Sequence, residues 1–220
     1  MKTKDDDAAF ISALTTEHFV IQSSMSATNS ESAQRASLYV FALSSTLVAL
    51  GFVSRSPGVF VPFIAAVLPA IFLIGVFTSV RLVDANLEMM QLLRNVARIR
   101  EYYRTLSADA KELFSPETGR WPEATKPPAL WHGVFIGFIT TNASMIALIN
   151  SIVGGAGIAL LIGYWSQKRG LAVSLGIMVA VALMTIFLFY QRWRYKSFSP
   201  AQYEQAQKST KSSIRAIRSR

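Results

Sequence analysis

Few side chains in this 220-residue chain are of the kind that carry covalent or metal chemistry. Cysteine is absent, which excludes thiolate nucleophiles, thiolate metal sites and disulfides. The two histidines, His18 and His132, are far apart and have no partner at metal-ligand spacing. His18 follows Glu17 and could meet a ligand, although a solitary histidine is far more often a surface residue. His132 follows Trp131 and reads as a membrane-interface residue. Gly154-Gly155-Ala156-Gly157 has no strand before it, so it is a packing feature and not a phosphate loop. Paired carboxylates and a nucleophile elbow are also missing. No catalytic, cofactor or metal site is expected, and enzymatic activity is not expected.

The remaining chemistry is that of polar groups in an apolar setting. Asn142, Ser144, Asn150 and Ser151 lie within one long uncharged stretch. An amide at membrane depth must face protein or water, so these four are candidates for lining a polar pathway. The competing reading is close helix packing. Thr141, Ser144, Ser151, Gly155 and Ala159 form a small-residue stripe, as do Ser37, Ser44 and Gly51, and such stripes let helices approach within lipid. Neither reading involves Asp, Glu, Lys or Arg inside the uncharged stretches. Proton coupling and voltage sensing normally need them there, which counts against an active transporter and not against a passive pore.

Those stretches define the elements. No charge occurs at 36–54, 56–80, 127–167 or 170–191, and the mean hydropathy of the whole chain is +0.34. A bilayer span needs roughly 20 apolar residues, longer than soluble helices usually run without a charge. The spacing predicts an all-α polytopic helical membrane protein with four spans in two transmembrane hairpins and cytoplasmic helical extensions. Span one covers 36–53, and its nine Leu, Val and Phe residues favour insertion by roughly 3–5 kcal/mol. Span two follows Ser56-Pro57-Gly58 and carries Pro62 and Pro69, which predict bends. Span three covers about 142–165, preceded by an interfacial helix over 131–139. Span four covers 171–190. Nineteen of the 22 Lys and Arg residues lie outside the two short turns, which hold Arg55, Lys168 and Arg169. The positive-inside bias therefore places both termini and the central segment in the cytoplasm of a cell (inner or plasma) membrane. The start, MKTKDDDAAF, lacks a signal-peptide pattern, so export is not expected.

On this scheme the chain divides into a cytoplasmic N-terminal helix (1–35), a first hairpin (36–80), a stalk helix and linker (81–130), an interfacial helix with the second hairpin (131–191) and a basic C-terminal helix or tail (192–220). In the stalk, Leu82, Ala85, Met89, Leu92, Val96, Ile99, Tyr103 and Leu106 alternate by threes and fours, the a/d seam of a coiled coil. Its occupant is either a second copy of the chain, giving a homo-oligomer, or the chain's own N- or C-terminal helix. The N-terminal segment is expected to be a helix that docks on the stalk and leads into span one. Beyond the stalk a linker carries a short helix near 109–114. In the tail, Lys208, Lys211, Arg215 and Arg218 recur at helical spacing, as candidate contacts for anionic lipid head groups or as a solvated basic face. Ala36, Ser37 and Ser44 are matched 107 residues later by Ala143, Ser144 and Ser151, and Arg81 and Arg192 each mark the exit of a hairpin, as in an internal duplication or convergent small-residue packing.

With its two hairpins, basic stalk and polar small-residue entry helix at Ser23–Ser37, the chain resembles the small multi-span membrane effectors of bacterial anti-phage signalling, of the Pycsar and CBASS types. The resemblance implies a homo-oligomer that breaches the lipid bilayer when a cytoplasmic nucleotide or protein activator is sensed. Nucleic acid is not an expected partner. From other classes, a membrane scaffold recruiting a cytoplasmic protein and a passive small-solute channel are the alternatives.

Overall fold

The computed structural model describes residues 4–115, 139–166 and 168–197. They form five helices: α1 (Lys4–Val53), α2 (Pro57–Tyr103), α3 (Ala108–Leu113), α4 (Asn142–Ser166) and α5 (Arg169–Ser197). Four of these, all but α3, are long and apolar enough to cross a membrane. The chain is thus an all-α polytopic membrane protein of two hairpins. The two hairpins differ in reach. At 1.5 Å per residue, α1 and α2 run about 70–75 Å, whereas α4 and α5 run about 38–44 Å. A hydrocarbon core of about 30 Å accounts for most of the second hairpin and less than half of the first.

Neither long helix breaks where its chemistry changes. The boundaries placed at 35/36 and 80/81 fall inside α1 and α2, so the stalk and the spans are one pair of rods. The N-terminal segment is a helix leading into span one, as its sequence suggested. α2 begins with Pro57 at its first position, where a missing N–H costs no helical bond, and it continues through Pro62 and Pro69. The turn before it closes on Ser54 N–H to Leu50 O (2.9 Å) and Ser56 N–H to Val53 O (2.9 Å). α2 is the central element, packing on α1 along one face and on α4 along another, while α4 and α5 pack closely on each other.

The stalk seam is filled from within the chain. Leu82, Ala85, Val96 and Ile99 are buried, and Val96 and Ile99 cluster with Ile21 of α1, bordered by Leu14, Met25, Leu92 and Tyr103. Of the occupants the sequence left open, the structure shows the N-terminal helix. The seam also ends sooner than its periodicity suggests. α2 stops at Tyr103, and Leu106, 48% exposed, lies in a turn closed by Leu106 N–H to Tyr103 O. Ser107 then caps α3, accepting from the Ala110 N–H, which is the short helix expected near 109–114. Most of the expected interfacial helix at 131–139, and the tail with Lys208, Lys211, Arg215 and Arg218, lie outside the described residues.

Candidate functional site

The side chains best placed to do something specific form a polar layer at one level of the bundle, where the spans meet the charged ends of the helices. Four ties make it. Glu31 of α1 accepts two bonds from the Arg81 guanidinium of α2 (3.0 and 3.1 Å), while Arg35 donates to Glu31 (2.8 Å) and Arg81 donates to Glu88 (3.1 Å). This paired fork holds the Glu31 carboxyl down at about pKa 2, with the Arg81 bond the largest cause, and raises Arg81. Between hairpins, Arg194 of α5 donates to Asp84 of α2, which raises the Arg194 pKa. Within the second hairpin, Ser144 donates to Gln191 (3.0 Å), whose amide N–H donates to Thr141 (3.2 Å). Gln191 is fully buried. Burial pushes the Tyr195 phenol up, against Asn86 and Gln191 beside it.

The fourth tie reaches deeper. Tyr39 of α1, fully buried, donates to the side-chain amide oxygen (Oδ1) of Asn150 in α4 (3.2 Å). Gly75 of α2 makes room for this bond. A Cβ there would collide with the Asn150 side chain and stand 2.8 Å from the Tyr39 ring. Three helices thus meet at Tyr39, Gly75 and Asn150, and the amide that cannot be left unpaired in lipid has a phenol for a partner.

These contacts locate the residues singled out by sequence. Asn150, Ser144 and Ser151 are buried in helix contacts, and Ser151 bonds back to Ala147 O (2.7 Å), so within one chain they do not line an open pathway. Asn142 is exposed at the start of α4. Gly155 meets Gly176 at the closest approach of α4 and α5, where a Cβ on Gly176 would stand 2.7 Å from the Gly155 carbonyl oxygen. The proposed duplication does not extend to environment. Ser37 and Ser44 are exposed where Ser144 and Ser151 are buried, and Arg192 is exposed where Arg81 is paired. His18 is half-buried on α1, its Nε2 3.3 Å from Gln22 one turn on, with its Nδ1 buried and unpaired. Among the described residues, no three acidic or histidine side chains stand close enough to hold a metal ion.

Residues that the sequence did not single out as candidate site residues carry most of the layer: Glu31, Tyr39, Gly75, Arg81, Asp84, Gln191 and Arg194. One signal was available. Glu31, Asp84 and Glu88 are acidic residues at a basic membrane edge, and carboxylates there call for nearby cations.

A second feature is a whole face of α1 that the other described helices leave uncovered. Thr16, Ser23, Ser30, Ser37, Ser44 and Gly51 recur every seventh residue, with Val20, Ala27, Gln34, Phe41 and Val48 four places after the first five. All eleven are exposed, Phe41 at 72% and Val48 at 61%. The face runs through the span and on into the charged half of the helix.

Compared with known protein families, characterised proteins and solved structures, the chain matches none.

Proposed function

We propose that this chain is a non-enzymatic membrane effector that assembles from several copies through the open face of α1 and acts on bilayer integrity. In this reading both termini and the stalk are cytoplasmic, as the basic bias favours, and activation reaches the membrane through the stalk. The observation that carries it is the second heptad face of α1. Small residues at every seventh position allow close backbone approach, and copies inserted in the same direction place identical faces in parallel register. Gln34 would meet its own counterpart, as polar seam residues that set register do. The α2 seam, filled by α1, is not needed for assembly. Any aqueous path would run between copies, since Ser144, Asn150 and Ser151 are buried and bonded within one chain. A role in anti-phage defence rests on the architectural resemblance.

The test is to purify the full chain in mild detergent, measure its mass by light scattering, and follow dye release after reconstitution into liposomes. An oligomer that releases dye, with Ser37→Leu/Ser44→Leu reduced to a monomer that does not, supports the proposal. A monomer that co-purifies with one stoichiometric cytoplasmic protein would establish the scaffold instead. Intact liposomes at high occupancy would remove the action on the bilayer.

A further inference from the structure

Contacts between the two hairpins loosen steadily away from the polar layer. At that layer α2 and α4 are in tight contact through Gly75 and Asn150. About one turn further on, Gly154 faces Phe72 so closely that a Cβ would stand 2.8 Å from the ring. One more turn on, a Cβ at Gly157 would have Leu68 at 3.7 Å, an ordinary contact distance. These last two pairs line one side of an apolar cleft of about 470 Å³, which Ile64, Ile158, Leu161 and Leu183 complete among others. The ties that cross between hairpins, Arg194 to Asp84 and Tyr39 to Asn150, lie at the tight end.

Such a joint is strong at one end and under-packed at the other. Within lipid there is little hydrophobic force to close the open end, because acyl chains are as apolar as the cleft walls. Closing it costs the polar ties little if they act as the centre of rotation. Pro62 and Pro69 lie in the adjoining stretch of α2, where each ring removes an N–H that would have bonded four residues back and so weakens the rod.

We infer that the polar layer is a pivot on which the α4–α5 hairpin rocks against α1–α2, alternately opening and closing the mid-span cleft between them. The motion gives the continuous α2 rod a way to pass a displacement of the stalk to the second hairpin. That consequence rests on the proposed control through the stalk; the rocking itself does not.

The absence of cysteine makes paired spin labelling direct. One pair, on Arg55→Cys and Ser166→Cys, reports the far turns, and a second, on Gln91→Cys and Ser197→Cys, reports the pivot. In nanodiscs holding single copies, the far pair is expected to give a broad or two-component distance distribution and the pivot pair a narrow one. Filling the cleft, by Gly157→Phe from α4 or by Leu68→Trp from α2, should leave only the longer far-pair component. Two cleft variants guard against one failing to fold. Asp84→Asn/Asn150→Ala should broaden the pivot pair, and the charge swap Asp84→Arg/Arg194→Asp should keep it narrow. A single narrow far-pair distance, indifferent to either filling variant, overturns the proposal, as does a pivot pair no narrower than the far pair. Neither measurement depends on oligomer formation or dye release, so its failure is separable from failure of the effector reading.

Discussion

Replacing Gly176 with alanine tests the packing account at its most constrained point. The new Cβ would stand 2.7 Å from the Gly155 carbonyl oxygen and 2.8 Å from the Ala159 Cβ, where ordinary contact begins at 3.4 Å. The nearest atom is backbone on the facing helix, so no side chain can swing aside. α4 and α5 must part by about 0.7 Å at that crossing. A gap of about 0.5–1 Å forfeits a quarter to a half of each contact's dispersion energy, and overpacking of this kind costs about 1–3 kcal/mol. The better helix propensity of alanine returns up to about 1 kcal/mol, leaving a net loss of up to about 2 kcal/mol. Gly163→Ala, inside α4, is the matched control, because a Cβ there would stand 3.6 Å from the Ala172 Cβ, an ordinary contact distance. Reversible unfolding in mixed micelles with increasing SDS, followed by circular dichroism, measures both. Gly176→Ala should unfold earlier than the parent and Gly163→Ala at the same point or later. If Gly176→Ala proves as stable as Gly163→Ala, α4 and α5 do not cross at Gly155 and Gly176.

The buried amide network should behave as a unit. Gln191→Leu is expected to cost about 1 kcal/mol, within the range for interhelical hydrogen bonds in membranes, and adding Ser144→Ala should cost less than its separate effect. The stalk contact is apolar, so Ile99→Ala should cost about 2–5 kcal/mol by leaving a cavity beside Ile21 and Val96. Hydrogen exchange should then rise in the charged half of α1 while the spans stay protected. Acid should loosen the α1–α2 tie. Glu31 titrates at about 2 in the fold against an ordinary 4.5, so its contribution is full above about pH 4.5 and is lost as pH falls towards 2. Protease cutting of the stalk across that window, with Glu31→Gln insensitive to it, is the measurement.

The spans were legible because insertion free energies add over some twenty residues without reference to any partner. The α2 seam was legible for a similar reason, since eight apolar positions on one period define a face. What fills it was not. The matching face of α1 passes through Leu14, His18, Ile21, Met25, Thr28 and Ser32, a mixture too polar to register as a stripe. The run at 22–34, rich in Ser, Thr and Asn, has weak helix propensity, and one flank of it gains helical structure by lying against α2. The ties across hairpins were hidden for a different reason. Tyr39 and Asn150 are 111 residues apart, and nothing local in either segment names the other. Gly75 reads as an ordinary glycine in an apolar helix until the Asn150 side chain is found beside it.

The distribution of polar and small residues follows from what lipid does and does not supply. Apolar side chains gain little by moving from acyl chains onto a neighbouring helix, so specificity must come from close backbone contact or from hydrogen bonds. Deep in the second hairpin this chain uses the first device, at Gly155 and Gly176, which leaves no polar atom to satisfy. Near the charged ends it uses the second, where Glu31, Arg81, Asp84 and Arg194 stay 33–38% exposed and the desolvation cost is correspondingly small. Between hairpins the deep device is used only as far as Phe72 and Gly154, and beyond that level α2 and α4 have neither. That omission makes the joint asymmetric. A protein needing only a rigid four-helix anchor would gain from a second glycine crossing there, which residues 64–69 and 157–161 do not provide.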